Sequence, residues 1–450
     1  MSARGAGGAR GLRDAHLHLY QYGRSLAMID LSACRGGAEM LNLVANAALR
    51  DRGGLVLADK ARPEAWDPPG WVSLAELDRV TGDALFAAWC FDYHAIMANS
   101  AALRHAGINS GSPDPEGGVI GRDGAGRPTG VLYERAAGML WESLPDPDLP
   151  RAGEILRRAV DALRAHGFVE VHDLKAQPWL GDELARLADA GGLEGFNVEI
   201  WPLVEDLEAV VATRRAWERE SVGLGGGKIF VDGTLNSRTA WMLRPYADAD
   251  RAGRPGLPCG LAMMTPGQIE DAVRRCDGLG VPLAAHAIGD AAVRAVLDAI
   301  EKVRPRTPGF RIEHAELVDE ADVPRFAALG VTCSVQPCHL LYDIEALRRG
   351  VPDRLDRVLP LRSLIDAGCE PGRVSGGGLV FGSDAPIVRP DPGDSVQGAV
   401  ARRRVGMGED EAVGLGEAVT EVEAWACFGV ERSPERARRG LRRSSRSPRP

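Results

Sequence analysis

The chain has 450 residues, 45% of them hydrophobic and 26% charged, which is an ordinary globular composition and enough for one large domain with insertions. A net charge of −9 argues against a general nucleic-acid-binding protein. No stretch approaches the roughly 20 apolar residues of a membrane span, and residues 1–13 are basic without the apolar run of a signal peptide. We therefore expect a cytoplasmic protein that binds neither nucleic acid nor membrane.

Short apolar runs alternate with helical patterns along much of the chain. Eight of these runs are predicted to be strands: Asp14–Leu19, Phe168–Asp173, Asn197–Val204, Lys228–Asp232, Val281–Ala287, Arg311–Ala315, Val331–Gln336 and Leu379–Asp384. Repeated strand–helix units with apolar strands predict an α/β fold with a parallel sheet covered by helices. Eight strands is the number that closes a (β/α)8 TIM-like barrel.

Two of the predicted helices have recognisable starts. Thr265-Pro266-Gly267-Gln268 has the pattern of a capping box with proline at the first helical position. Asp290 is predicted to cap the next helix, whose apolar residues keep a spacing of three to four.

A long insertion, residues 33–149, separates the first two predicted strands. It carries its own apolar runs, Gly54–Leu57 and Leu85–Phe91, and we interpret it as a cap over the barrel mouth. The barrel domain then comprises residues 14–430. Residues 1–13 form a basic tail, and the Arg/Ser-rich residues 431–450 lack apolar periodicity and are predicted to be disordered.

Residue types that bind metals recur at the ends of the predicted strands. Because side chains alternate along a strand, His16 and His18 project to the same side and can hold one ion. Strands four, five, six and eight add further candidates, Lys228, His286, His314 and Asp384. The C-terminal rim of a barrel is where active sites of this fold are built. The placement therefore predicts one metal centre.

The chain resembles the amidohydrolase superfamily and, within it, the YtcJ-like (amidohydrolase-3) family. The resemblance covers about residues 14–430, and the matching segments begin at the following residues: DAHLHL at Asp14, NSAALRHAGI at Asn99, EGGVIGRDGAGRPTGVLYE at Glu116, KIFVDGTLNSRTA at Lys228, HAIGDAAV at His286, RIEHAEL at Arg311, SVQP at Ser334 and FGSDAP at Phe381.

This resemblance implies a centre of two divalent metal ions, with zinc as the first expectation and iron, manganese or cobalt as alternatives. The implied ligands are His16, His18 and Asp384 for the more buried ion and His286 and His314 for the second. Lys228 would bridge both ions as a carbamate formed with carbon dioxide, because an ammonium group has no lone pair for a metal. The alternative for Lys228 is an ordinary lysine in a salt bridge.

A metal-activated water would then cleave a carbon–nitrogen bond in a small amide or cyclic amide. Asp384 would orient that water and carry its proton to the leaving nitrogen. Four further residues are expected near the substrate: His94, Arg238, His172 and His339.

The chain departs from the family pattern at both ends. Family members carry an accessory β-sandwich built from segments before and after the barrel, and here it is expected to be missing or truncated. Its loss would expose apolar surface and favour self-association, with a homodimer as the simplest form. Two alternatives to an active amide hydrolase stay open: a truncated, inactive homologue, and a deaminase with one metal.

Overall fold

The structure is a computed structural model, and it describes residues 11–50, 54–63, 66–91, 93, 95–115, 118–145, 151–249 and 257–429. The chain divides into two compact units. The first unit comprises Met1–Leu19 and Val160–Pro450, and the second comprises Tyr20–Ala159. Most of the predicted basic tail, the predicted disordered tail 431–450 and His94 lie outside the described residues.

The strands, in chain order, are β1 Leu12–Leu17, β2 Ile29–Asp30, β3 Leu55–Ala61, β4 Leu85–Cys90, β5 Ala95–Ala98, β6 Gly118–Arg122, β7 Pro128–Glu134, β8 Phe168–Ala176, β9 Asn197–Pro202, β10 Val222–Leu224, β11 Gly227–Phe230, β12 Leu283–Ala287, β13 Arg311–His314, β14 Thr332–Val335, β15 Glu370–Pro371 and β16 Gly378–Phe381.

The α-helices are α1 Leu19–Ser25, α2 Gly37–Arg50, α3 Leu74–Thr81, α4 Ser100–His105, α5 Arg135–Ser143, α6 Ala152–Ala165, α7 Leu180–Asp189, α8 Val204–Trp217, α9 Pro266–Gly278, α10 Asp290–Val303, α11 Val323–Leu329, α12 Pro337–Gly350, α13 Leu361–Asp366, α14 Pro392–Val400 and α15 Glu421–Cys427. Short 3-10 helices cover Pro352–Arg357, Glu409–Glu411 and Leu415–Glu417. In the part of the chain that is described, no helix has both the length and the apolar character to cross a membrane.

Two parallel sheets form the first unit, with strand orders β1-β8-β9-β10 and β11-β12-β13-β14-β16-β15. The eight predicted strands are all present, in the predicted order, as β1, β8, β9, β11, β12, β13, β14 and β16. Strands β12, β13, β14 and β16 are buried at every position, as parallel strands covered on both faces should be. The predicted α/β class is therefore confirmed.

The predicted closed barrel is not confirmed, because the ladder of strands is interrupted at two places. Between β9 and β11 only one isolated bridge forms, Leu203 to Lys228. Between β16 and β1 there is no ladder, although the backbone N–H of Asp384 donates to the carbonyl of His16 at 2.6 Å. Gly382 allows this close approach, since a Cβ there would lie 2.5 Å from the backbone nitrogen of His16.

Strand and helix ends differ from the sequence predictions in ways that matter for the site. Strand β8 continues to Ala176 instead of ending at Asp173, and β16 ends at Phe381, so that Asp384 lies in the following loop. The capping box at the start of α9 is confirmed. The predicted cap of α10 is wrong, because Gly289 is the N-cap and the Asp290 carboxylate accepts from the backbone N–H of Leu243 at 2.7 Å.

A mixed sheet of order β2-β3-β4-β5-β7-β6 organises the second unit. Strands β2 to β4 pair in parallel, and β4, β5, β7 and β6 pair antiparallel. The apolar runs predicted within the insertion form β3 and β4. The unit, Tyr20–Ala159, is wider than the predicted insertion, because α1 and the first part of α6 belong to it. Its role as a cap stays a prediction.

Candidate metal centre

Two histidines at the end of β1, His16 within the strand and His18 just after it, face one carboxylate. Leu17, between them, is fully buried, and the rings of His16 and His18 lie 5.7 Å apart at right angles. The Nε2 atoms of His16 and His18 are 3.3 and 3.1 Å from Oδ1 of Asp384. The ligand atoms of these three side chains thus lie within 4.8 Å of one another, which is the arrangement a metal ion needs.

The loop after β16 aims Asp384 at the histidines. Asp384 has a φ of 61°, a left-handed conformation that few residues other than glycine adopt. The Asp14 carboxylate holds this loop against β1, because it accepts from the backbone N–H groups of His16 at 3.1 Å and Ser383 at 3.0 Å. A strained backbone held in this way is typical of a functional position.

The contacts around Asp384 favour a cation between the groups. Its Oδ1 is buried and has no hydrogen-bond partner among the described residues, despite the two nearby Nε2 atoms. Burial raises the pKa of this carboxyl, but His16 and His18 lower it, and the net pKa lies well below its ordinary value. One carboxylate oxygen and two imidazole nitrogens form a donor set that suits zinc and similar divalent ions.

A second group of donors shares Asp384. The ligand atoms of His314, His339 and Asp384 also lie within 4.8 Å of one another. His314 has a φ of 72° at the end of β13, and its buried Nδ1 has no hydrogen-bond partner within the described ranges of the chain. Burial holds the pKa of His314 well below its ordinary value, so that the imidazole is neutral, as a ligand must be.

His286 lies beside this second group without joining it. Its ring is 4.4 Å from that of His314, while its Nε2 donates to the carbonyl of Gly233 at 3.2 Å. Burial and the nearby Lys228 lower the pKa of His286 to about 3, so this imidazole is also neutral. The structure therefore brings His286 to the site but not into either group of three.

Lys228 is fully buried on β11, and its Nζ has no hydrogen-bond partner in the described part of the chain. The centroid of the Phe230 ring lies 5.1 Å from Nζ. Burial lowers the pKa of Lys228 to about 8, although Glu313 and Asp384 oppose this. These contacts do not support the alternative of a salt-bridged lysine, and a substantial neutral fraction is what carbamate formation requires.

His339 follows β14 at the start of α12 and faces two carboxylates. Its Nδ1 lies 3.7 Å from Glu316 and its Nε2 lies 3.9 Å from Asp384. Burial lowers its pKa, but these carboxylates outweigh burial and raise the pKa to about 9. A protonated imidazole is a hydrogen-bond donor rather than a ligand. The place of His339 near the substrate stays a prediction.

The other predicted substrate residues are placed differently. The guanidinium of Arg238 binds the Asp248 carboxylate at 2.6 and 2.8 Å and the carbonyl of Leu235, so its donors are used within the protein. His172 lies in the middle of β8, where its Nδ1 accepts from Arg311 at 2.8 Å. His94 lies outside the described residues.

Two buried residues of the site were not predicted. Glu313 accepts from Nδ1 of His16 at 2.6 Å, and Arg311 contacts Glu313 through its Nε. The signal was present in the sequence, because Arg311 and Glu313 alternate along a predicted strand and share a face, the pairing a buried charge needs.

Comparison with known proteins gives one family. The model of the amidohydrolase family matches residues 5–431. The chain is 30% identical to the putative amidohydrolase YtcJ of Bacillus subtilis (strain 168) over 414 residues, which are 87% of this chain and 73% of that protein. It is 33% identical to the N-substituted formamide deformylase of Arthrobacter pascens over 365 residues, 76% of this chain and 64% of that protein.

Solved structures show the same fold. An uncharacterized metal-dependent hydrolase from Pyrococcus horikoshii OT3 matches with a TM-score of 0.73 and 24% identity, covering 92% of this chain and 78% of that one. An uncharacterized metal-dependent hydrolase from Pyrococcus furiosus matches with a TM-score of 0.71 and 26% identity, covering 92% and 80%.

Proposed function

Because this chain belongs to the amidohydrolase family, we propose that it is a metal-dependent hydrolase that cleaves a carbon–nitrogen bond in a small, non-peptide amide or cyclic amide. The observation that carries the proposal is the convergence of His16, His18 and Asp384, where the buried Oδ1 of Asp384 finds no hydrogen-bond partner among the residues that the structure describes. The similarity to a relative named as a deformylase of N-substituted formamides supports an amide as the substrate class.

Each metal-binding side chain has a proposed role. His16, His18 and Asp384 would hold the first ion. His286 and His314 would hold the second, and Lys228 would bridge as a carbamate. When bound, divalent ions of this kind supply Lewis acidity and make a water acidic enough to attack at neutral pH. Zinc suits the histidine-rich donor set best, with iron, manganese or cobalt as alternatives.

The chain's own residues would move the protons. An Asp384 oxygen would take the proton of the attacking water and deliver it to the leaving nitrogen, so that amide and water become an acid and an amine. The protonated His339, 3.9 Å from Asp384, would donate a hydrogen bond to the substrate. The Arg238 guanidinium forms an ion pair with Asp248, so we propose that Arg238 supports the structure of the site and does not contact the substrate.

In carbamate formation, the neutral amine of Lys228 would react with carbon dioxide. A C–N bond would form and one proton would be released. Nζ of Lys228 is completely buried and has no hydrogen-bond partner in the described part of the chain, and this supports the proposal. Native mass spectrometry of the intact protein exchanged into 13C-bicarbonate should show a carbon dioxide adduct, and Lys228→Met should lack it. An unmodified Lys228 in the metal-loaded protein would contradict it.

A second candidate function requires a centre with a single metal ion. The complete group of His16, His18 and Asp384 favours it, together with the position of His286, whose Nε2 donates to Gly233. Such a centre is expected of a deaminase. One metal per chain and an unmodified Lys228 would select this candidate, whereas two metals would exclude it.

The activity test uses purified protein and a panel of N-formyl amines, N-acyl amines and cyclic amides. Chelation should abolish hydrolysis of at least one class, and added Zn2+ should restore it. His18→Asn should abolish activity, while His166→Asn, at an exposed histidine, should not. Protein that cannot be reloaded with metal, or hydrolysis that survives chelation, would overturn the proposal.

A further inference from the structure

A buried carboxylate lies directly behind one of the proposed metal ligands. Nδ1 of His16 is 2.6 Å from Oε2 of Glu313, and both side chains are inaccessible to solvent. The two residues are far apart in the chain and lie on β1 and β13. Nothing in the proposed chemistry uses Glu313, so its presence needs another explanation.

The contact determines which nitrogen of His16 carries the proton. An ionised carboxylate only accepts hydrogen bonds, so Nδ1 must be the donor. In the neutral imidazole, Nε2 then has a free lone pair, and this atom lies 3.3 Å from Oδ1 of Asp384. A histidine with the other tautomer would direct an N–H group at the place where a metal must bind.

Arg311 holds the carboxylate in place. Its Nε contacts Oε1 of Glu313, and its Nη2 donates to Oε2 of Glu313 at 3.1 Å and to the carbonyl of Ala15 at 2.6 Å. Since Ala15 precedes His16, Arg311 binds both the carboxylate and the backbone of the strand that carries the histidine. Arg311 also donates to Oγ of Ser334 at 2.8 Å.

The charges continue away from the metal centre. Arg311 donates to His172 at 2.8 Å, His172 lies 3.5 Å from Glu170, and Glu170 binds Arg13 at 2.6 Å. Burying these charges costs desolvation free energy, and the ion pairs offset only part of that cost. Apolar side chains of similar volume in their place would commonly give a fold that is at least as stable. The network is therefore better explained by a requirement for position than by stability.

We propose that Glu313, held by Arg311, is a positioning residue that fixes the tautomer and orientation of His16 so that Nε2 faces the metal. This proposal rests on the proposed function in one respect only, namely that the group which His16 binds is a metal ion. Carboxylates that bind the remote nitrogen of a ligating histidine commonly strengthen metal binding about 10- to 100-fold.

The first test needs neither metal nor activity. Protein labelled with 15N-histidine is freed of metal by chelation and studied by NMR at pH 8.5, and the His16 signals are assigned with His16→Asn. The proton should be on Nδ1 of His16, in slow exchange with water. A proton on Nε2 would overturn the proposal, and this result could be seen even in a protein that never binds metal. Failure of the positioning role of Glu313 can therefore be distinguished from failure of the proposed metal-dependent function.

The second test measures metal affinity. Glu313→Gln keeps the side-chain volume but removes the charge, and it should raise the Kd for Zn2+ or Co2+ about 10- to 100-fold. Ser334→Ala is the matched control, because it removes a partner of Arg311 without touching His16, and its Kd should stay within about threefold. A folded Glu313→Gln protein with the wild-type Kd, or an equal loss in both variants, would contradict the proposal.

Discussion

Asp384 illustrates how much of the site depends on a single backbone conformation. The left-handed φ of 61° turns its carboxylate towards His16 and His18, and the backbone N–H binds the carbonyl of His16. A short alternating motif could predict the two histidines from the sequence, since a two-residue spacing places them on one face. It could not predict that the carboxylate lies beyond the strand end, because a loop conformation has no periodic signal.

We predict that Asp384→Asn lowers kcat by about 10²- to 10⁴-fold, since an amide cannot carry the proton that the proposed mechanism assigns to this carboxylate. Turnover and bound metal should be measured on the same samples, to separate lost proton transfer from lost metal. Asp356→Asn, at a largely exposed carboxylate, is the control and should retain activity. Wild-type turnover in Asp384→Asn would refute the assigned role.

The helices show which elements a sequence pattern specifies well. The box of Thr265 and Gln268 at α9 is local, so four consecutive residues were enough to predict it. Asp290 looked like a cap from the same kind of reasoning, but its carboxylate binds the distant backbone of Leu243. Long-range contacts of this type override local propensity and are invisible in the pattern.

Loss of the capping box has a measurable cost. Thr265→Ala removes the hydroxyl that accepts from the backbone N–H of Gln268, and it should lower the free energy of unfolding by about 1 kcal/mol. Denaturant unfolding of both proteins measures the difference. Gly267→Ala, at a helix position with open space around its Cα, is the control and should not destabilise. No loss in Thr265→Ala would show that the cap is not formed.

In the second unit, Asp59 on β3 makes stability depend on pH. Its side chain is fully buried, and among the described residues only its Oδ2 has a hydrogen-bond partner, the Tyr93 hydroxyl at 3.3 Å. Burial raises its pKa to about 6 from 3.8. Because the folded state holds this proton more tightly than the unfolded state, stability falls as the pH rises from about 4 to about 6 and stays lower above that. The shift corresponds to about 3 kcal/mol.

Asp59→Asn removes the charge and keeps the shape, so it should raise the Tm at pH 8, and the gain should vanish near pH 4. Thermal unfolding across this range measures it. Asp30→Asn is the matched control of opposite sign. Burial raises the pKa of Asp30, but hydrogen bonds from Ser32 and the nearby Lys60 outweigh burial and lower it, so that variant should not be stabilised at pH 8. A gain in Asp59→Asn that is independent of pH would contradict this account.

In the whole molecule, the proposed ligands come from five distant parts of the chain and meet through the order of the parallel strands. That order was predictable from eight apolar runs, and so was the rim at which His16, His286 and His314 meet. The interruptions of the ladder were not, because they depend on close approaches such as that of Gly382 to His16. Charge pairs across strands, such as Glu313 with His16, could not be predicted from the sequence either, because they depend on how residues far apart in the chain approach one another.

Metal should also stabilise the folded molecule. A ligand that binds only the folded state at 100 times its Kd adds about 2.7 kcal/mol to the free energy of unfolding. We therefore expect chelation to lower the Tm and added Zn2+ to restore it. His18→Asn should lose most of this response. A Tm that does not respond to metal in the wild-type protein would argue against a site formed by folding.

His16, His18 and Asp384 should bind one metal ion together. Anomalous diffraction at the zinc edge, from crystals grown with Zn2+, tests it most directly. A peak should appear at about 2.0–2.2 Å from Nε2 of both histidines and from a carboxylate oxygen of Asp384. Well-ordered crystals that show these three side chains without an anomalous peak between them would contradict it.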